Sequence, residues 1–170
     1  MYSLIKIIEN IFNNIQVETS NITLEKIWNP KQYSYWNKQV TYWAIEWELE
    51  FYSAYPMTPA SSILTEVVNS KKVNFLQAED EIASINAALW ASYTTSRAMV
   101  WTSGWGFALM TEALSFAIQA ELPITVALSM RAWPSTWTPT YFEQWDLNYA
   151  LNPTFWDFEH IVLYPSSVVE

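Results

Sequence analysis

The chain has 170 residues, 17 Asp and Glu against 8 Lys and Arg, no cysteine, eleven tryptophans and only two glycines. That length suits one domain, or one domain plus a fragment. The missing cysteines exclude a disulfide framework, a CxxC zinc site and any cluster ligated by this chain, and the net charge of −9 argues against a nucleic-acid surface.

Residues 1–17 put Leu4, Ile8, Ile11 and Ile15 on one helical face, with Lys6, Glu9 and Asn13 between them. The spacing predicts an amphipathic helix packed on a core. Its polar interruptions do not fit a signal peptide, and no run reaches the about 18 apolar residues of a membrane span, so the expected location is the cytoplasm, with no membrane contact. Residues 18–35 are polar, contain Asn29-Pro30 and read as a linker. Further on, short apolar runs alternate with helical periodicity. The pattern predicts a strand over 51–55, a helix over 60–68, a strand over 73–77 and a helix over 82–93 with Ile82, Ile85, Ala88 and Leu89 on one face. A strand over 98–102, a helix over 107–120 and a strand over 124–129 follow. A proline-rich loop, a helix over 142–151 and a strand over 161–164 end the series. His160, the only histidine, lies in an apolar stretch and reads as structural. The alternation indicates an α/β fold, a parallel sheet flanked by helices.

In such a sheet, ligands bind beyond the carboxyl ends of the strands. The segments expected there are Tyr55-Pro56-Met57-Thr58-Pro59, Thr102-Ser103-Gly104-Trp105-Gly106 and the loop from Arg131 to Trp137. Gln77-Ala78-Glu79-Asp80-Glu81 also opens a helix directly after a strand. Asp80 and Glu81 read as carboxylates complementing a helix dipole. Glu79, at the strand end, has two readings: the same dipole role, or a buried carboxylate that meets a cofactor.

The segments Y-P-M-T-P-A-S-S, Q-A-E-D-E-I-A-S-I-N, T-S-G-W-G-F-A-L-M-T-E-A-L, R-A-W-P-S-T-W-T-P-T and F-E-Q-W-D-L occur in this order. Together they resemble the alpha subunit of 2-oxoacid:ferredoxin oxidoreductases, from Trp36 to Glu170. The resemblance implies a thiamine diphosphate-binding fold, with residues 36–170 as a pyrimidine-binding domain incomplete at its C-terminus. Residues 1–35 then read as the tail of an upstream gamma-type domain plus the linker. Where the family writes G-N-E-A-I-A-L-G-A, this chain has Trp36-Asn37-Lys38-Gln39-Val40-Thr41-Tyr42-Trp43-Ala44, and for G-P-S-T-G it has Trp133-Pro134-Ser135-Thr136-Trp137. Trp47, Trp90, Trp101, Trp105, Trp145 and Trp156 also fall where the family has glycine or another small residue; Trp28 has no counterpart. An indole in such places costs strain or overpacking of about 1–3 kcal/mol. The expectation is therefore that UGA codons meaning glycine are written here as tryptophan. Two other readings are a tryptophan-rich module that stacks a ligand and an inactive, truncated remnant.

The family's activity implies oxidative decarboxylation of a 2-oxoacid, of the pyruvate or 2-oxoglutarate type, to an acyl-coenzyme A and CO₂, with reduction of ferredoxin. A beta subunit would supply Mg²⁺ and an iron–sulfur cluster, so this chain needs no metal ligand of its own and is expected to be inactive alone. Glu79 matches the family carboxylate that hydrogen-bonds the aminopyrimidine N1′ of thiamine diphosphate, which lets the cofactor's 4′-imino group act. Arg131 matches an arginine on the substrate carboxylate, where a guanidinium fork fits two oxygens. Thr58 matches a threonine near the keto group, its hydroxyl able to donate and accept. Thr102, Ser103 and Gly104 form a small-residue turn that a cofactor can approach closely, and Ser135 and Thr136 belong with the substrate loop.

Overall fold

The computed structural model describes residues 36–130, 145–155 and 159–164. Helix α1 (Trp36–Glu46) precedes strand β1 (Phe51–Ala54), helix α2 (Ser61–Ser70), strand β2 (Asn74–Gln77), helix α3 (Glu81–Tyr93) and strand β3 (Ala98–Thr102). Short helix α4 (Trp105–Leu109) runs into α5 (Thr111–Gln119), followed by strand β4 (Ile124–Leu128) and helix α6 (Trp145–Leu151). All strand pairings are parallel, in the order β2-β1-β3-β4. From β1 the chain moves one way to β2, then crosses back over β1 to reach β3. Right-handed crossovers therefore put α2 and α3 on opposite faces of the sheet.

Side-chain alternation divides β3 between two cores. Ala98 and Val100 pack with Ile85, Ala88 and Leu89 of α3 and with Phe107, Met110 and Leu114 beyond them. Met99 and Trp101 point the other way, against Tyr52, Ile63 and Val67, with α1 contributing Val40, Ala44 and Ile45. Every residue of β3 is buried, as a central strand covered on both faces requires. The helix α1 was not foreseen. Its core-packing residues Val40, Ala44 and Ile45 are few and stand among large aromatic residues, so the apolar periodicity is blurred.

Two other expectations are corrected. The helix over 107–120 is broken at Met110, whose N–H turns back to the Phe107 carbonyl at 3.1 Å. The Thr111 hydroxyl donates to the Ala108 carbonyl, a local bond that competes with the regular ladder. Residues 161–164 make no ladder with β4, and Ile161 and Leu163 are largely exposed. An apolar run signals a wish for burial, and it does not by itself supply a pairing partner. Residues 1–35, with the expected helix and linker, lie outside the described residues.

Each of the four described helix-to-strand turns carries one residue in the left-handed region: Glu48 (φ 63°), Lys71 (φ 55°), Thr95 (φ 72°) and Glu121 (φ 53°). The one glycine at positive φ is Gly104, at 40°. No described tryptophan has such a backbone, so the expected strain from positive φ does not apply to Trp43, Trp47, Trp90, Trp101 or Trp105. Trp47 and Trp90 are each 70% exposed. Trp101 is 5% exposed and donates its indole N–H to Ser129 Oγ at 2.7 Å.

Candidate functional site

The order β2-β1-β3-β4 reverses direction between β1 and β3, and the crevice beyond the carboxyl ends of those two strands is where an open α/β sheet takes ligands. The loop after β1 and the turn after β3 border it. In the first, the Met57 carbonyl accepts from the N–H groups of Ala60 (2.6 Å) and Ser61 (3.0 Å), folding the loop into the start of α2. From α1, Asn37 Nδ2 donates to the Pro59 carbonyl at 2.8 Å and to Ser62 Oγ at 2.7 Å. Thr58 is thus presented, exposed, on a loop tethered from both sides.

The turn after β3 is buried. Thr102, Ser103 and Gly104 are inaccessible, and neither Thr102 Oγ1 nor Ser103 Oγ has a hydrogen-bond partner among the described residues. The Thr102 carbonyl accepts from Ser129 N–H at 2.9 Å, joining the ends of β3 and β4. Gly104 uses its freedom to enter α4 at φ 40°, ψ −103°. Gly106 has no room for a side chain: a Cβ there would collide with Thr102 Oγ1 and come within 2.6 and 2.7 Å of Glu81 Cγ and Oε1.

Beyond β2, the Ala78 N–H donates to the Ala54 carbonyl at 3.0 Å, so Glu79 follows directly at the sheet edge, exposed. Asp80 caps α3, accepting from Ala83 N–H at 2.6 Å, in line with its expected bland role. Glu81 departs from expectation. It lies in the first turn of α3, yet it is only 4% exposed, whereas Ile82 faces solvent. The buried stripe of α3 runs through Glu81, Ser84, Ile85, Ala88 and Ser92. Stepping back four residues from Ile85 reaches Glu81, and that spacing was the signal available in the sequence. One turn along, Ser84 Oγ meets Ser53 Oγ of β1 at 3.1 Å in the interior. A column of buried polar groups therefore leads from β1 and α3 to the turn after β3.

Arg131, Ser135 and Thr136 lie outside the described residues. A cavity of about 450 Å³ lies along β4, lined by Trp101, Phe107, Leu128, Ala150 and Ile161, with His160 at its wall. It is apolar and holds none of the expected site residues; we place the site at the switch point, where buried polar groups converge. A His160 ring nitrogen is 3.0 Å from the Ala150 carbonyl, which ties residues 159–164 to α6. Among the described residues no three His, Cys, Asp or Glu side chains are grouped to hold a metal, and no helix is long and apolar enough to cross a membrane.

A fold with its polar groups gathered at this crevice defines a class of ligand-binding parallel α/β domains. Residues 43–170 match the family described as pyruvate flavodoxin/ferredoxin oxidoreductase, thiamine diphosphate-binding, and the chain belongs to that family. It is 41% identical over 128 residues to the 2-oxoglutarate synthase subunit KorA of Archaeoglobus fulgidus, covering 74% of this chain and 37% of that protein. It is 47% identical over 100 residues to the 2-oxoglutarate oxidoreductase subunit KorA of Mycobacterium tuberculosis, covering 58% of this chain and 15% of that one. Among solved structures, the 2-oxoglutarate:ferredoxin oxidoreductase of Magnetococcus marinus, with 2-oxoglutarate, coenzyme A and succinyl-CoA bound, superposes with a TM-score of 0.70 at 41% identity. That match covers 74% of this chain and 22% of the other. The chain therefore spans between about a seventh and a third of the length of these relatives.

Proposed function

We propose that this chain supplies the aminopyrimidine-holding part of a 2-oxoacid:ferredoxin oxidoreductase, which converts a 2-oxoacid and coenzyme A to acyl-coenzyme A and CO₂ in the cytoplasm. The family match over residues 43–170 carries this reading. The residues present fit thiamine diphosphate: two buried hydroxyls, Thr102 Oγ1 and Ser103 Oγ, remain without a partner among the described residues at the switch point. When bound, the cofactor supplies a carbanion at its thiazolium ring, the chemistry that decarboxylation needs.

The chain's own contribution is binding and orientation. Glu79, directly past β2, offers its carboxylate to the ring nitrogen N1′. Its exposure in this chain leaves the carboxylate accessible to such a ring. Thr102, Ser103 and Gly104 form the wall that the ring approaches. Thr58, on its tethered loop, hydrogen-bonds the substrate keto oxygen. Arg131, with Ser135 and Thr136 from the same loop, takes the substrate carboxylate. The 2-oxoglutarate-named relatives favour a dicarboxylic 2-oxoacid over pyruvate. Partners are a beta subunit carrying Mg²⁺ and an iron–sulfur cluster, and ferredoxin as electron acceptor.

The test is Glu79→Gln in the assembled enzyme. The amide keeps the shape but cannot take a proton, so 2-oxoacid-dependent ferredoxin reduction is expected to fall by about 10²-fold or more. Full activity in that variant removes Glu79 from the mechanism.

A further inference from the structure

Glu81 is a carboxylate that the helix-dipole argument does not explain. Asp80 already caps α3, and a first-turn carboxylate that only complements a dipole is served as well by an exposed position. Burying the carboxyl is costly, and buried charged groups are kept where they have specific work. Its position is set by the 13-residue helix α3, which Ile85, Ala88 and the Ser84–Ser53 contact fix against the sheet. Gly106, two residues past Gly104, packs so closely on Glu81 and Thr102 that neither could keep its place against a methyl group.

We propose that Glu81 is a positioning residue of the carboxyl-edge site: its buried carboxyl, meeting Thr102 across Gly106, sets the course of the Thr102–Gly106 turn and so the seat of the cofactor ring. The proposal rests on the thiamine diphosphate reading above. It makes the absence of a side chain at Gly106 a requirement of the site, and it separates two neighbouring carboxylates by role, Glu79 touching the ligand and Glu81 acting through the turn.

The experiment uses the assembled enzyme, with thiamine diphosphate affinity measured by titration calorimetry and the unfolding midpoint measured in parallel. Glu81→Gln keeps the size of the side chain and replaces the carboxyl by an amide; it is expected to weaken binding about tenfold or more with little change in midpoint. Gly106→Ala is expected to lower both. Unaltered affinity in Glu81→Gln overturns the proposal, while leaving the cofactor reading intact. Absence of thiamine diphosphate binding in the unaltered enzyme overturns the cofactor reading and, with it, this one.

Discussion

Tyr52, Glu79 and Glu81 illustrate how burial decides what a polar side chain does. Tyr52 is fully buried on β1 between α2 and β3, and its hydroxyl has no partner among the described residues. Burial pushes the phenol well above its ordinary value. The unfolded chain ionises this group at about pH 10, whereas the folded chain keeps it neutral. The unfolded state therefore binds fewer protons from there upward, and stability falls as the pH rises through about 10. Tyr52→Phe is expected to remove that fall and to stabilise the chain by about 1 kcal/mol, since an unsatisfied buried hydroxyl no longer has to be desolvated. Urea unfolding at about pH 8 and about pH 10.5 checks both parts: a variant with the parent's alkaline slope refutes the assignment. At the sheet edge, burial separates the two glutamates, leaving Glu79 open to a ligand and Glu81 enclosed with Thr102 and Gly106.

At the level of elements, the four described helix-to-strand turns share a feature that the composition hides. All need a left-handed residue, and none uses glycine. A non-glycine residue pays about 1–2 kcal/mol there, and the β-branched Thr95, at φ 72°, is the least suited of the four. Thr95→Gly leaves intact the bond from its N–H to the Ser92 carbonyl at 2.9 Å. After the added freedom of glycine in the unfolded chain is counted, it is expected to raise stability by about 0.5–1 kcal/mol. A lower unfolding midpoint in that variant would mean that the threonine side chain has a stabilising contact outweighing the strain. At the opposite edge of the sheet the helix-to-strand turns do purely structural work. Arg97 pairs with Glu48 at 3.0 Å, donates to the Glu48 carbonyl, and offers its backbone N–H to Glu50. These bonds tie the starts of β1 and β3 together beneath the crevice.

For the whole molecule, the tryptophan count is the feature that a folded chain constrains. A ligand-stacking module needs its indoles on one surface. Among the described residues, Trp47 follows α1, Trp90 lies on α3, Trp101 is core and Trp105 opens α4 beside the crevice. The structure also narrows the physical case for glycine at these positions. Exposed Trp47 and Trp90 cost little, so the argument for recoded glycine rests on the match to the family's motifs more than on strain. Reading the gene tests it: UGA codons at Trp36, Trp43, Trp133 and Trp137 are expected, and UGG at these positions would sink the idea.

Fold class and strand order of appearance were legible in the sequence, because period-2 and period-3.6 burial leave their own marks. So were the loop after β1 and the turn after β3, since loops after parallel strands can go nowhere else, and the motifs named the family. Helix boundaries near Met110 were not legible, because one local hydroxyl bond decides them. Residues 161–164 read as a strand from apolarity alone, but pairing is a property of two segments. The choice between Glu79 and Glu81 belonged to the tertiary structure as well. Both follow the same strand, and only the packing of α3 against β1 and β3 turns one outward and encloses the other. Sequence determined which segments follow the carboxyl ends of the described strands; the packing of helix on sheet decided which of their side chains are exposed and which enclosed.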